Sequence, residues 1–99
     1  MIKSGGENIY PAEIERVLLA DKRISDAVVV RKKDLKWGEV PVVFLARSDE
    51  TLTEREVEKL CRKNLASYKR PKVVKFIALG DFPRSITGKI QRHEVEAWL

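Results

Sequence analysis

Hydrophobic positions along the chain follow two spacings, which separate helices from strands. After Pro11, a residue suited to the first turn of a helix, apolar residues recur at i, i+3 and i+4, namely at Ile14, Val17 and Leu18. This spacing predicts a short helix to about Ala20. Runs rich in β-branched residues, bounded by polar ones, predict strands over 24–30, 40–46 and 73–79.

A second helix has the clearest start signal in the chain. Thr53 and Glu56 form a T-x-x-E capping box, with Leu52 and Val57 as the flanking hydrophobic staple. The apolar stripe that follows consists of Val57, Leu60, Cys61 and Leu65. On this stripe Cys61 is expected to be a small core residue and not a nucleophile.

The remaining segments are predicted as connections and a terminal helix. Residues 2–4 read as a short hinge strand, followed by Gly5-Gly6, which permits positive φ. Residues 31–39 read as a loop that carries Trp37 and invites a binding role. A helix over 91–99 is expected to bury its apolar residues, Val95, Trp98 and Leu99.

These elements predict one α+β domain over residues 1–99. After the short hinge strand, the order α-β-β-α-β-α gives a small three-stranded mixed sheet packed with helices. The strand–helix–strand passage over 40–79 should cross over right-handedly if its two strands are parallel neighbours. The chain shows no internal repeat or linker.

Positive charge is concentrated in one part of the chain. The 99 residues carry a formal net charge of +5. The stretch from Arg62 to Gly80 contains no acid and six basic residues, which are Arg62, Lys63, Lys69, Arg70, Lys72 and Lys75. A smaller basic group comprises Arg31, Lys32, Lys33 and Lys36. Such localisation favours a phosphorylated or anionic partner, although a solvated surface explains it equally well.

Composition excludes several classes of function. The single cysteine cannot form an internal disulfide or a metal cluster, and the single histidine, His93, has no nucleophile–acid partners in sequence. No apolar run approaches the length of a membrane span, and no signal peptide opens the chain. A cytoplasmic protein is therefore expected.

Three short motifs could carry chemistry. Gly88-Lys89 is not a phosphate-binding P-loop, because Pro83 and Ile90 stand where that motif needs glycine and Ser/Thr. Lys89 could nevertheless place its charge on a phosphate or carboxylate, or be an ordinary solvated lysine. Tyr68 and Arg70 could stack on a purine and contact its phosphates. Neither Arg70 nor Trp37 requires a ligand. Basic residues such as Arg70 are common at a helix C-terminus, and Trp37 could simply cover the core.

Four ordered segments together carry a family resemblance. They are IKSGGENIYPAEIE at 2–15, WGEVP at 37–41, YKRP at 68–71 and PRSITGK at 83–89. Over essentially all 99 residues, the chain resembles the mobile C-terminal lid domain of adenylate-forming enzymes, the acyl-CoA synthetase group in particular. The opening segment favours ligases of the fatty-acyl, aryl and succinylbenzoate types.

The resemblance implies a two-step reaction and a role for each matching residue. A carboxylic acid reacts with ATP to give an acyl-adenylate, which coenzyme A (CoA) then converts to a thioester. Lys89 matches the catalytic lysine of adenylation, and Arg84 would support its loop. Gly5, Gly6 and Glu7 match the loop that lines the pantetheine passage. The positions that meet the nucleotide end of CoA are matched by Trp37, Tyr68 and Arg70.

The resemblance also implies what lies outside this chain. The partner would be an N-terminal adenylation domain that binds the acid, ATP and its Mg²⁺, so these 99 residues are expected to be a fragment inactive alone. A competing interpretation is a standalone basic module that binds RNA or single-stranded nucleic acid. The chain lacks the GxxG clamp and the aromatic sheet face of small RNA-binding folds, which argues against it. A non-catalytic partner domain with a vestigial Lys89 loop is a third possibility.

Overall fold

The computed structural model describes all residues, 1–99, and confirms the α+β class. It contains five strands, three α-helices and two short 3₁₀ turns at Ser67–Lys69 and Leu79–Asp81. The strands are β1 (Ile2–Ser4), β2 (Glu7–Ile9), β3 (Ile24–Asp34), β4 (Gly38–Arg47) and β5 (Val73–Phe76), and the helices are α1 (Pro11–Leu19), α2 (Glu54–Asn64) and α3 (Arg92–Glu96).

The sheet has five strands, so the expectation of three was wrong. Strands β3 and β4 form a long antiparallel hairpin in which Val30 lies opposite Val42. On its other side, β4 pairs with β1 at one end and, in parallel, with β5 farther along. The hinge segment is β1, which forms a hairpin with β2. Strand β1 confirms the hinge strand predicted over residues 2–4, whereas β2 has only three residues and too little hydrophobic alternation to be recognised in the sequence.

Residues 31–39 are mostly strand, which corrects their prediction as a loop. Pairing of β3 with β4 continues to Asp34 opposite Gly38, which leaves only residues 35–37 in the turn. The Asp34 carboxylate accepts hydrogen bonds from the backbone N–H groups of Lys36 and Trp37, at 3.1 and 2.8 Å. The exposed lysines of this segment show no hydrophobic pattern, so the sequence did not indicate a strand here. Strand pairing is made by backbone groups and does not require apolar side chains.

Both faces of the central hairpin are covered. Alternate side chains enter two cores, with Val29 and Val43 on the face covered by α1 and α2 and Val28 and Phe44 in the other core. The second core is closed by Phe82 and by Val95 of α3. Burial on two faces explains the nearly continuous hydrophobic runs of these strands.

The second helix begins as its sequence predicts. The Thr53 hydroxyl accepts a hydrogen bond from the Glu56 N–H at 3.2 Å, and Leu52, Val57 and Cys61 are buried. Burial raises the pKa of the Cys61 thiol to about 11, which keeps it protonated. The assignment of Cys61 to the core is confirmed.

The C-terminal third is less regular than predicted. Strand β5 ends at Phe76; the predicted strand continues in residues 77–78 without regular structure, and a 3₁₀ turn begins at Leu79. Helix α3 spans only Arg92–Glu96, and of its expected inner face Val95 alone is buried. Trp98 and Leu99 remain 47% and 42% exposed, although the Trp98 ring contacts Phe44 edge-on. A helix this short presents less than two turns to the sheet, which leaves the last residues outside the core.

Candidate functional site

Lys89 lies on a small hairpin formed by residues 84–90, hereafter the lysine hairpin. The Ser85 N–H donates to the Lys89 carbonyl, and the Gly88 N–H donates to the Ser85 carbonyl, both at 2.9 Å. Gly88 has a φ of +85°. A three-residue loop that ends in a glycine of positive φ is a common way to close a hairpin. The Lys89 side chain is exposed and leaves the hairpin just beyond this turn.

Arg84 connects the lysine hairpin to the sheet. Its guanidinium donates to the Gly88 carbonyl at 2.9 Å and to the Asp26 carboxylate on β3 at 2.7 Å. Arg84 and Lys89 also line a surface groove of about 400 Å³ together with Asp26 and Arg92. The loop is thus a defined hairpin anchored on β3.

Gly5 and Gly6 form the two-residue turn between β1 and β2, hereafter the glycine turn. Their φ angles are +56° and +83°, as required at both central positions of a type I′ turn. Glu7 follows, exposed at the start of β2. No atom lies within 4 Å of a Cβ placed on Gly6, whereas a Cβ on Gly5 would lie 2.8 Å from Cε3 of Trp37. The positive φ predicted for this dipeptide is confirmed.

Trp37 lies beside the glycine turn and at the mouth of a basic groove. Its carbonyl accepts the Gly5 N–H at 2.8 Å, and the residue is 43% exposed. The groove, hereafter the Trp37 groove, has a volume of about 490 Å³, and its charged lining residues are Lys32, Lys33, Asp34 and Lys72. Three lysines against one carboxylate suit a phosphate-bearing ligand.

The structure adds Lys72 to the residues singled out from the sequence. Its backbone N–H donates to the Pro41 carbonyl at 2.9 Å, which brings the start of β5 beside β4 and the Trp37 groove. The sequence signal was its place in the basic stretch, directly after the YKRP segment. Only the parallel pairing of β5 with β4 puts it near Trp37.

Tyr68 and Arg70 do not line the Trp37 groove. The Arg70 guanidinium donates to the carbonyls of Leu65 and Arg62, both at 3.1 Å. These bonds satisfy carbonyls at the C-terminus of α2, as the alternative based on the helix dipole expects. Tyr68 is 38% exposed on a 3₁₀ turn, which leaves its ring partly available to a ligand.

The basic stretch is dispersed over the surface. The Lys69 ammonium pairs with Glu13 of α1 at 2.9 Å, and the hydrogen bond to that carboxylate raises the pKa of Lys69. Lys75 lies over the Phe44 ring at 5.9 Å, on another part of the surface. The six charges therefore do not form one continuous patch.

The two candidate groups lie at opposite ends of β3. The lysine hairpin is bound to Asp26 near the start of the strand, and Trp37 is bound to Asp34 at its end. Eight steps along the strand, at about 3.3 Å each, separate the two anchors by roughly 26 Å. The structure therefore brings Gly5, Gly6 and Trp37 together and leaves Lys89 far from them.

Two further observations concern metals and membranes. No three His, Cys, Asp or Glu side chains come together as a metal ion would need. No helix has the length and hydrophobicity required to cross a bilayer.

Comparison with known proteins identifies relatives of the whole chain. A family model described as the AMP-binding enzyme C-terminal domain matches residues 13–89. The 2-succinylbenzoate–CoA ligase of Bacillus cytotoxicus is 46% identical over 99 residues, which are 100% of this chain and 20% of that protein. The chain thus spans about a fifth of the length of the curated relatives that it matches.

Solved structures have the same fold. The fatty acyl CoA synthetase of Mycobacterium tuberculosis matches with a TM-score of 0.86 and 38% identity, over 99% of this chain and 20% of that one. The o-succinylbenzoate CoA synthetase of Bacillus subtilis, a double mutant bound with its product analogue OSB-NCoA, matches with a TM-score of 0.85 and 42% identity. This match covers 96% of this chain and 19% of that one.

Proposed function

This chain belongs to the family of AMP-binding enzyme C-terminal domains, and we propose that it is the catalytic lid of an AMP-forming acid–CoA ligase. In this proposal, a larger adenylation domain holds ATP and the carboxylic acid. The lid supplies Lys89 for adenylation and the glycine turn with the Trp37 groove for thioester formation. ATP and CoA are substrates, and Mg²⁺ would accompany ATP in the adenylation domain.

The observation that carries this proposal is the separation of the two groups along β3. Roughly 26 Å of strand is too far for both groups to reach one reacting carboxyl carbon in a single arrangement. If both groups serve one reaction centre, the lid must present one end for adenylation and the other for attack by the CoA thiol. The rotation of the lid that the family resemblance implies would meet this requirement.

Lys89 is suited to the first step by its charge and its exposure. A carboxylate approaching the α-phosphate of ATP meets electrostatic repulsion, and an ammonium between the two anions offsets it and stabilises charge that develops in the transition state. The lysine hairpin holds Lys89 beyond a defined turn, so the backbone is ordered before the ligand arrives. A preorganised charge of this kind is the most effective electrostatic contribution to catalysis.

The glycine turn and the Trp37 groove are suited to the second step. Gly6 has open space around its Cα, so the thin pantetheine arm could pass close to the backbone there, near Glu7. CoA carries a pyrophosphate and a 3′-phosphate, for which the lysines of the Trp37 groove provide compensating charge. Tyr68 and Arg70 lie outside this groove, and they enter the proposal only through the positions that the family resemblance assigns to the nucleotide end of CoA.

The relatives guide the choice of acid. We infer an aromatic dicarboxylate of the 2-succinylbenzoate type, since curated relatives of 44% and 46% identity are named as ligases for that acid. The M. tuberculosis neighbour is named for fatty acyl chains, so a longer aliphatic acid is the second candidate. The buried, protonated Cys61 thiol is compatible with the reducing cytoplasm, where we place the reaction.

A chimeric enzyme tests the proposal. The matching fifth of the B. cytotoxicus ligase would be replaced by this chain, and acid-dependent exchange of pyrophosphate into ATP and CoA thioester formation would be measured separately. We expect both activities, and expect neither from the chimera without the lid. A chimera that folds but gives no thioester would overturn the proposal. Preferential binding of oligonucleotides over CoA would favour the nucleic-acid alternative.

A further inference from the structure

The outer edge of β3 is covered by side chains. This strand pairs only with β4, so alternate backbone groups face away from the sheet. The Val29 N–H donates to Glu15 Oε2 of α1 at 2.8 Å, and the Val29 carbonyl accepts from Arg92 Nε at 3.1 Å. Arg92 also donates to both carboxylate oxygens of Glu15, at 2.9 and 2.7 Å. Glu15 and Arg92 together occupy the place of a neighbouring strand.

A second ion pair lies farther along the same edge. Arg84 donates to Asp26 Oδ2 at 2.7 Å, and Asp26 Oδ1 accepts the Ala27 N–H at 2.9 Å. The other arm of the Arg84 guanidinium reaches the Gly88 carbonyl at 2.9 Å, inside the lysine hairpin. Arg84 thus connects the hairpin turn directly to β3.

The two arginines lie on opposite sides of Lys89 in the chain. Arg84 precedes the turn and Arg92 follows it. The backbone of Arg84 forms an antiparallel β-bridge with that of Ile90 across the hairpin. A hydrogen bond of 2.7 Å from the Gln91 N–H to the Pro83 carbonyl closes the base of the hairpin. Both arms of the segment that presents Lys89 are therefore held on one strand edge by a guanidinium that makes several directed bonds.

We propose that Arg84 and Arg92, with their partners Asp26 and Glu15, are positioning residues that fix the Lys89 ammonium for adenylation. The inference rests on the proposed function of Lys89 and assigns the four side chains a role beyond stability. The planar guanidinium fixes direction as well as charge, which a lysine at these positions would not do. If the loop shifts the catalytic group by about 1 Å, the reaction can slow by up to about 100-fold, so this anchoring matters for catalysis.

Amide hydrogen exchange of the 99-residue chain tests whether the anchors order the hairpin. We expect Arg84→Gln and Asp26→Asn to speed exchange of the Ser85 and Gly88 amides about tenfold, while the core amide of Val43 keeps its protection. The matched control is Arg55→Gln, because Arg55 is exposed on α2 and makes no ion pair or side-chain hydrogen bond. Unchanged exchange at Ser85 and Gly88 in both variants would overturn the proposal.

Half-reactions of the chimeric ligase test whether that order serves Lys89. We expect Arg84→Gln and Arg92→Lys to lower kcat for adenylation about 10- to 100-fold, with the KM for ATP and thioester formation from preformed adenylate nearly unchanged. Arg84→Gln and Asp26→Asn should be non-additive when combined, because they break the same ion pair. Equal losses in both half-reactions would overturn the positioning role. Full adenylation by Lys89→Ala would overturn the proposed function itself, whatever the exchange data.

Discussion

The indole ring of Trp37 packs against the backbone of Gly5, so closely that a Cβ on Gly5 would lie 2.8 Å from Cε3 of the ring. The Gly5 N–H donates to the Trp37 carbonyl at 2.8 Å. The glycine turn and the turn at residues 35–37 are therefore one structural unit, although 32 positions separate Gly5 from Trp37. A change in one of them should be felt by the other.

Gly5→Ala tests this contact through stability. Gly5 combines a φ of +56° with a clash against the ring, so we expect a loss of about 1–3 kcal/mol in the free energy of unfolding. Urea denaturation of the 99-residue chain measures it. The control is Gly80→Ala, since Gly80 has open space and no positive φ. Equal stabilities of the two variants would contradict the contact.

Gly6→Ala separates the two half-reactions. Gly6 also has a positive φ, but a Cβ on it would have no neighbour within 4 Å. Its substitution therefore strains the turn and fills part of the open space beside Gly6, without displacing Trp37. In the chimeric ligase, we expect thioester formation to slow about tenfold while adenylation is retained. Rates for each step, started from ATP or from preformed acyl-adenylate, measure the split. A larger loss in adenylation would assign the glycine turn another role.

Lys89→Ala should have the opposite effect. We expect adenylation to fall about 10²–10³-fold, since a preorganised charge is removed, and thioester formation to remain largely intact. Because the side chain is exposed, stability should change by less than about 0.5 kcal/mol. Lys59→Ala on α2 is the matched exposed control. Comparable losses in the two steps would argue against a role confined to adenylation.

Lys72→Ala tests the Trp37 groove. Removal of one phosphate contact should raise the KM for CoA about tenfold, and the effect should shrink at high ionic strength. The same measurement with CoA that lacks its 3′-phosphate shows whether Lys72 contacts that group. If it does, the variant and the parent chain should differ less in KM for this analogue than for CoA. Lys63→Ala, in the last turn of α2 and away from the groove, provides the control. An unchanged KM for CoA would exclude Lys72 from the site.

Cys61 predicts a pH dependence of stability. Its pKa is raised from 9.0 to about 11, so the folded chain keeps a proton that the unfolded chain releases. The contribution of this group to the free energy of unfolding is fully present below about pH 9. It falls by roughly 2 kcal/mol as the pH rises toward 11. Chemical denaturation at several pH values measures the loss. Cys61→Ala should lower stability overall and remove this part of the dependence, and an unchanged slope in that variant would show that other groups cause it.

Local signals in the sequence were sufficient for α1, the start of α2 and the central strands. The Thr53 cap, the helical spacing of Ile14 and Leu18, and the β-branched runs each act within one element, so they can be recognised without the fold. For the short hairpin of β1 and β2, the sequence indicated the hinge strand over 2–4 and the glycine pair, but not the strand β2 or its pairing. The turn that joins the two strands is local, but the pairing of Ser4 with Gly38 of β4 is a relation between distant residues.

The sequence by itself determined the chemistry available to this domain: a lysine after Gly88, a glycine pair that permits positive φ, and a surplus of positive charge. Only the tertiary structure decided which of these groups share a place. It put Trp37 on Gly5, brought Lys72 to the same groove, and turned Arg70 toward the end of α2. It also held Lys89 at the far end of β3. The reason is physical: strand pairing and ion pairs across the sheet join residues far apart in the chain, and local propensity contains no record of those partners.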